Sequence, residues 1–184
     1  MNAVTLAGAE WPARPGDPLI QLPGFVMSSF SPAVAQAAQR CLRGFFGPPP
    51  VPAALGARTG VVLASATGDI ATAAAVAAAV DTGRRVPPLL FFQSNPNAVV
   101  GFLTARWGLT GPVVCTCPGG DVRADARRSA ALLLADGDAD AVLVLTVTQA
   151  NAPGQHDHAE AELIGPPHWA AAANREAPAR EADK

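Results

Sequence analysis

Apolar residues in this chain form short unbroken runs, separated by longer segments in which apolar positions recur with helical spacing. The runs Val61–Ala64, Val113–Cys117 and Ala141–Val147 have the length and composition typical of strands buried on both faces of a sheet. The helices predicted around these strands span residues 31–43, 70–81, 97–107 and 122–135. The order strand, helix, strand, helix, strand predicts a layered α/β domain, with a central sheet and flanking helices.

Capping residues and a glycine stop predict where these helices begin and end. Ser31–Pro32 favours a helix start, because serine accepts a hydrogen bond from a free N–H and proline fits the first turn. Asp69 and Asp121 precede two later helices in the same capping role, and Gly108 follows the last residue of a third. Each of these helices therefore has a predicted limit that does not depend on tertiary contacts.

The character of the sequence changes after Gln149. Residues 151–184 hold all three histidines, several prolines and most of the late charges. We predict one domain over residues 1–150 and a largely disordered tail over residues 151–184, with one short helix near Trp169–Ala173. Trp169 in this tail is interpreted either as an anchor to a partner or as an idle aromatic residue.

The predicted tail contains a His-x-His cluster, formed by His156 and His158 around Asp157. Glu160 and Glu162 follow it, so the segment offers ligands for an adventitious metal ion. A solvated tail fixes no ligand geometry, however, and we predict no metal site there.

Composition narrows the classes of function. The chain has 184 residues, of which 15% are charged, with a formal net charge of -2 and a pI near 5.9. This balance disfavours a nucleic-acid binder or a protein of anionic membranes, both of which carry basic patches. No apolar run reaches the length of a membrane span and no signal peptide is evident, so we expect a cytoplasmic protein with free thiols. The low charge content favours a surface that is partly covered by a partner.

Cys115 and Cys117 alternate along a predicted strand, which places both side chains on one face. One interpretation is a metal or redox pair, or a displaced nucleophile. The other interpretation, which we favour, is two small core residues, because zinc sites need four ligands and no second cysteine pair exists. Cys41 is predicted in the core, on the apolar face of its helix. Gly119–Gly120 ahead of a helix suggests a phosphate cradle, but the acidic residue that follows disfavours it.

Four short motifs follow one another in a fixed order between residues 58 and 148. They are Gly60–Ala64 with Thr67-Gly68, Pro88–Gly101 with its Ser-Asn-Pro-Asn turn, Gly108–Pro112, and Gly137–Asp140. Their order and spacing resemble the N-terminal half of a β-ketoacyl synthase, a member of the thiolase-fold superfamily. The resemblance implies the layered αβα half of a thiolase-like fold, with a central mixed sheet and flanking helices.

The resemblance also implies that catalytic residues are missing. In that family the nucleophilic cysteine lies nine residues after the glycine of Gly-Pro and seventeen before the glycine of Gly-Asp-x-Asp. Both counts land on Gly120 here, and glycine cannot be acylated. Asp121 at the same helix start would repel a thiolate. The family's catalytic histidines and lysine come from its second half, whereas the single lysine here is Lys184 and the histidines lie in the predicted tail.

Chain length factors are catalytically inactive relatives that pair with an active ketosynthase and shape its acyl tunnel. The resemblance implies such a subunit, limited to the N-terminal half and without a cofactor, in a type II polyketide or fatty-acid-like synthase. Its partner would be a catalytic ketosynthase, and acyl carrier protein would be reached indirectly. The residues expected at the partner interface or tunnel are Phe91, Phe92, Asn95, Asn97, Val100, Val113, Cys115 and Cys117.

Two physical arguments accompany this expectation. Phe91 and Phe92 are adjacent, so on an extended chain they face opposite ways and one of them is free to contact a second subunit. Half of a two-halved fold also leaves an apolar helix layer uncovered unless something packs on it. Two alternatives stay open: a small acyltransferase or thiolase-like enzyme that uses Cys115 or Cys117, and a remnant with a scaffold role only.

Overall fold

The computed structural model of the protein describes residues 3–152 and 154–169. The elements of this part, in chain order, are β1 Val4–Trp11, α1 Phe30–Phe46, α2 Ala53–Ala57, β2 Thr59–Ala64, α3 Ile70–Asp81, α4 Pro88–Gln93, α5 Asn97–Trp107, β3 Val113–Thr116, α6 Val122–Ala135, β4 Ala141–Thr148 and β5 His158–Gly165. Within the described ranges, no helix is both long and apolar enough to cross a membrane.

The five strands form one mixed sheet in the order β1-β5-β4-β2-β3. Strand β2 pairs in parallel with β3 and β4, whereas β5 pairs antiparallel with β4 and β1. The central strands β2 and β4 consist almost entirely of buried residues, as expected of strands covered on both faces. The predicted α/β class with a central mixed sheet is confirmed.

Helices cover the sheet on both faces, and the alternation along β2 shows how the two layers are separated. Val61 and Leu63 point into the larger core cluster, where α1 and α5 pack. Val62 and Ala64 point the other way, into a smaller cluster with the inward face of α6. That face is formed by Ala126, Ala130 and Leu134, and the two alanines let the first half of the helix lie close to the sheet.

Local caps set the helix limits largely as predicted. The Asp69 carboxylate accepts a hydrogen bond from the N–H of Thr72 at the start of α3. The Asp121 carboxylate caps α6 in the same way. Gly108 ends α5 in the left-handed conformation, with φ of 68°. The N-cap position of α1 is Ser29 and not the predicted Ser31, which lies in the first turn of the helix.

Two glycines allow loops to cross at the base of the parallel strands. A Cβ on Gly56 would overlap the carbonyl oxygen of Gly108, and a Cβ on Gly111 would overlap the carbonyl oxygen of Thr59. These contacts hold the turn after α5 against the start of β2. The parallel pairing of β2 with β3 therefore requires glycine at positions 56 and 111, because any side chain there would overlap the neighbouring backbone.

The prediction that the chain after residue 150 is a tail is wrong for residues 158–165, which form β5 between β1 and β4. His158, Glu160 and Glu162 alternate with small or apolar residues, which is a strand pattern with one polar face. The apolar positions of β5 are buried beneath α1. The predicted disorder of the chain end falls on residues 170–184, which lie outside the described residues.

Trp169 is the last described residue, and it packs on its own chain. Its indole stacks on the ring of Phe45 with 5.9 Å between centroids and 7° between planes, and it meets Phe46 edge-on. The side chain is buried at the C-terminal end of α1. Trp169 therefore anchors the segment after β5 to the domain, and most of the short helix predicted for 169–173 lies outside the described residues.

Candidate functional site

Helix α4 carries large apolar side chains that point into solvent. Leu89, Phe91 and Phe92, here called the α4 patch, are 43%, 77% and 57% exposed. The expectation that Phe91 and Phe92 lie on extended chain is wrong, because residues 88–93 form a helix. Exposed aromatic residues in a cluster are uncommon on a soluble surface and mark an interaction site.

Strand β3 lies at one edge of the sheet, where it pairs with β2 on one side. Among the described residues, no strand pairs with its other side. Val113, at the start of β3, is 45% exposed. An exposed edge of this kind presents unpaired backbone groups to a second chain. The position of β3 at the edge follows from the order of the strands in the sheet, and this order cannot be predicted from the local sequence pattern.

The interpretation of Cys115 and Cys117 as two core residues is wrong for Cys117, which is exposed, whereas Cys115 is half-buried and packs against the larger core cluster. The Cys115 thiol donates a hydrogen bond to Asn97 Oδ1 at 2.9 Å, and the Cys117 thiol donates to the carbonyl oxygen of Ala66 at 3.1 Å. Both line a cavity of about 280 Å³ beside the end of β3. Burial raises the pKa of Cys115, which disfavours the thiolate that nucleophilic catalysis requires.

Cys41 lies in the core, as predicted. It is 1% exposed on the inward face of α1. Burial raises the pKa of its thiol to about 12, so it stays protonated and inert at neutral pH.

The start of α5 connects the α4 patch to the β3 edge. Asn95 Oδ1 accepts a hydrogen bond from the N–H of Asn97 at 3.0 Å, and the Asn97 side chain in turn binds the Cys115 thiol. Val100, one turn further along α5, is 1% exposed in the chain's own core. Of these expected interface residues, Val100 is therefore unavailable to a partner, while Asn95 and Asn97 are exposed.

A buried polar network positions α3 and α4. Asp69 accepts hydrogen bonds from the hydroxyls of Ser28 at 2.6 Å and Thr72 at 2.8 Å. Gln149, at the end of β4, donates to Ser28, and Gln93, at the end of α4, approaches the Thr72 hydroxyl at 3.4 Å. Sequence reasoning identified Asp69 as a helix cap and missed both glutamines, since a lone glutamine carries no pattern that predicts burial.

Gly120 lies directly before Asp121, the N-cap of α6, at the mouth of a helix N-terminus. The Asp121 carboxylate accepts a hydrogen bond from the N–H of Ala124 at 3.0 Å. Gly120 itself has no side chain to act as a nucleophile. The same capping bond occupies a donor that a phosphate would need, which disfavours the alternative of a phosphate cradle at Gly119–Gly120.

The outward side of α6 differs from the expected apolar layer. Arg123 and Arg127 both hydrogen-bond the carboxylate of Glu162 on β5, the latter at 2.6 Å, and Arg123 also lies 3.3 Å from Glu160. Burial opposes ionisation of Glu162, but the bonds from the two arginines prevail and lower its pKa. The expectation of an uncovered apolar helix layer is therefore wrong for the first half of α6, where the exposed Arg123, Arg127 and Arg128 lie.

Of the two histidines in the His-x-His cluster, His158 lies on β5 beside Glu160, which pairs with Arg123 of α6. His158, Glu160 and Glu10 offer ligand atoms that lie within 4.8 Å of one another across β5 and β1. Glu160 already pairs with Arg123, and the side chains of Glu10 and His158 are 53% and 40% exposed. The geometry gives a cation no enclosed site, and we assign none.

Comparison with known proteins identifies the family to which most of the chain is similar. A sequence model described as beta-ketoacyl synthase, N-terminal domain, matches residues 27–181. None of the curated proteins matches. Several solved structures match, but their sequence identities to this chain are low, so the matches show a shared fold and no more.

Three of these structures are complexes. A chain of the ketosynthase (ApeO) in complex with its chain length factor (ApeC) from Xenorhabdus doucetiae has a TM-score of 0.65 and 20% identity, over 83% of this chain and 65% of that chain. The ishigamide ketosynthase/chain length factor gives 0.66 and 20%, over 84% and 49%. AntDE:AntF, a type II PKS acyl-carrier protein in complex with its ketosynthase, gives 0.62 and 15%, over 80% and 48%. The chain therefore spans about half to two thirds of the length of these three matched chains.

Proposed function

We propose that this chain, which belongs to the β-ketoacyl synthase N-terminal domain family, is a non-catalytic subunit of the chain length factor type. The observation that carries the proposal is the exposed α4 patch, which the start of α5 connects to β3, the edge strand of the described sheet. Apolar side chains and open backbone groups at one place favour docking of a second protein chain.

The non-catalytic part of the proposal rests on the start of α6. Gly120 stands where the resemblance puts the nucleophile, and it has no side chain. The neighbouring Asp121 adds a negative charge where a thiolate would need stabilisation. The Cys115 thiol donates a hydrogen bond to Asn97, and burial raises its pKa, which disfavours a nucleophilic thiolate at this position.

The partner in this proposal is a catalytic ketosynthase of a type II polyketide or fatty-acid-like synthase. It would supply the cysteine and histidines for condensation and receive substrates from acyl carrier protein. Two of the matched structures are described as ketosynthases with chain length factors, and one as a complex with acyl carrier protein, which supports this choice.

We further propose that β3 pairs with the matching edge strand of the ketosynthase across a pseudo-twofold axis. Phe91 and Phe92 would contribute to the wall of the acyl tunnel. The remaining interface residues in this proposal are Asn95, Asn97, Val113, Cys115 and Cys117. Val100 is left out, because it is buried in this chain.

Co-expression with a ketosynthase encoded beside this gene tests the proposal. We expect the tagged chain to co-elute with the ketosynthase in a stoichiometric complex that condenses acyl groups on acyl carrier protein. Replacing both Cys115 and Cys117 with serine should leave the condensation rate per assembled complex unchanged, even if it weakens assembly, because the partner supplies the nucleophile. A chain that stays a well-behaved monomer and never co-purifies with the ketosynthase contradicts the proposal.

A second candidate is an acyltransferase or thiolase-like enzyme that uses Cys115 or Cys117. The shared cavity of about 280 Å³ beside both thiols is the observation in its favour. Intact-protein mass spectrometry after incubation with acyl-CoA or acyl carrier protein separates the two functions. Covalent acylation at either cysteine supports the enzyme, and an unmodified mass supports the pairing subunit.

A scaffold role without control of product length is the third candidate. In that case changes at Phe91 or Phe92 that preserve pairing would leave the length of the product unchanged. A shift in product length in such variants supports a contribution to the tunnel wall.

A further inference from the structure

An open apolar groove lies between α4, α5 and the loop that precedes α1. It has a volume of about 390 Å³, and three aromatic rings line it: Phe25 from the loop, Phe92 from α4 and Phe102 from α5. We call this the aromatic groove. Phe92 also belongs to the α4 patch, so the groove is continuous with the surface assigned to the partner.

Gly101 lines the groove between these rings. A Cβ built on Gly101 would meet no other atom within 4 Å, although the residue lies in the middle of α5. Glycine inside a helix is unfavourable relative to alanine, and nothing in the chain's own packing explains its presence here. The space above Gly101 is therefore open to a group from outside the chain.

The walls of the groove are held in place before any partner arrives. The ring of Phe25 lies 6.3 Å from that of Phe102 in an edge-on arrangement and 6.4 Å from that of Phe92. The buried Gln93 side chain bonds both the N–H and the carbonyl oxygen of Val26, which fixes the loop next to Phe25. A groove with fixed walls loses little conformational freedom when it is filled.

We infer that the aromatic groove receives one apolar side chain of the partner ketosynthase, an inference that rests on the proposed function. A small ligand is disfavoured because such sites need placed polar groups for orientation. Asn97 is the one residue lining the groove with a polar side chain, and its Oδ1 is occupied by the Cys115 thiol. Aromatic pockets that accept a single apolar anchor are characteristic of the energetic centres of protein interfaces.

The link through Asn97 also sets the location of this contact. Asn97 lines the groove and bonds Cys115, which lies on the edge strand β3. A partner strand paired with β3 would therefore place neighbouring side chains near the groove.

Filling the groove with a side chain of this protein tests the inference. In Gly101→Leu, leucine would occupy the space above α5, and we expect the Kd for the ketosynthase to rise by about 30-fold or more. Gly44→Leu is the matched control, because Gly44 is also an exposed glycine in a helix, α1, where an added Cβ would likewise meet no atom within 4 Å. We expect this control to bind the ketosynthase as the unsubstituted chain does. Both variants should fold, since leucine is a better helix former than glycine, and thermal melting checks this.

Each other outcome overturns the inference in a recognisable way. If Gly101→Leu binds normally while Val113→Asp at the β3 edge does not, the proposed function stands and the groove is not a contact. If Gly101→Leu pairs normally but changes product length, the occupant is an acyl chain. If the free chain self-associates and Gly101→Leu abolishes that, the occupant is a second copy. If the unsubstituted chain fails to bind the ketosynthase, the proposed function itself fails.

Discussion

Replacing Phe91 with alanine tests whether the α4 patch is buried by a partner. Phe91 is 77% exposed in the free chain, so the truncation should change the free energy of unfolding by less than about 0.5 kcal/mol. A phenylalanine buries roughly 200 Å² when fully covered, so covering the exposed part removes about 150 Å² from water. At about 25 cal/mol per Å² this is worth roughly 4 kcal/mol, of which alanine keeps a minor part. We expect a loss of about 2–3 kcal/mol, equal to a rise in Kd of roughly 30- to 150-fold.

The assay is a titration of the fluorescently labelled chain with the ketosynthase, supported by sedimentation velocity to establish the stoichiometry. Leu132→Ala is the matched control, because Leu132 is 60% exposed and lies on α6, away from the α4 patch. This control should bind with an unchanged Kd. The reasoning is refuted if Phe91→Ala binds as tightly as the unsubstituted chain, or if Leu132→Ala weakens binding to the same extent.

Three further predictions concern the stability of the chain. Glu162→Gln should lower the free energy of unfolding by about 1–3 kcal/mol in urea titrations at pH 7, and the more exposed Glu160→Gln by less. Because the arginines lower the pKa of Glu162, the stability lost in Glu162→Gln is fully present above the unfolded pKa of 4.5 and disappears as the pH falls through the lower folded pKa. Gly111→Ala should lower the melting temperature sharply because its Cβ overlaps a backbone oxygen, whereas Gly119→Ala, in open space, should not. Gln93→Leu should speed amide exchange in the loop before α1 and lower the free energy of unfolding by about 2 kcal/mol. Both hydrogen bonds from the Gln93 side chain to the backbone of that loop are lost in this variant.

Elements whose signals are local were predictable from the sequence. The limits of α3, α5 and α6 agree with the predictions because Asp69, Gly108 and Asp121 act on their immediate neighbours. The apolar runs of β2 and β4 were identified as strands because both faces of each strand are covered. These patterns report burial directly, so no knowledge of distant contacts was needed.

Strand β5 was missed because its stability depends on distant partners. Its polar residues look like a solvated segment until Arg123 and Arg127 of α6 are placed opposite Glu162. Its backbone pairs with β1, at the other end of the chain. A prediction that weighs local composition therefore assigns this segment to a tail.

The geometry around the residues expected at an interface differs from the expectation. Phe91 and Phe92 were expected at an interface, and they are exposed on a helix where extended chain was expected. Cys115 and Cys117 were expected in the core because β3 has a core-like composition. The order of the sheet puts β3 at an edge, and that order is set by crossover connections and not by the residues of the strand.

Among the described residues, the α6 side and the α4 side differ in the cost of covering them, and under the proposed function this difference favours one side for docking. On the α6 side a partner would have to remove water from Arg123, Arg127 and Glu160, whose charges are already satisfied within the chain. Desolvating such groups costs several kcal/mol unless the partner offers matched charges of its own. On the α4 side the same contact removes water from Phe91 and from the open edge of β3, both of which gain from being covered. The low charge content of the chain is therefore less informative than the distribution of those charges, which leaves the α4 side as the one a partner covers at little electrostatic cost.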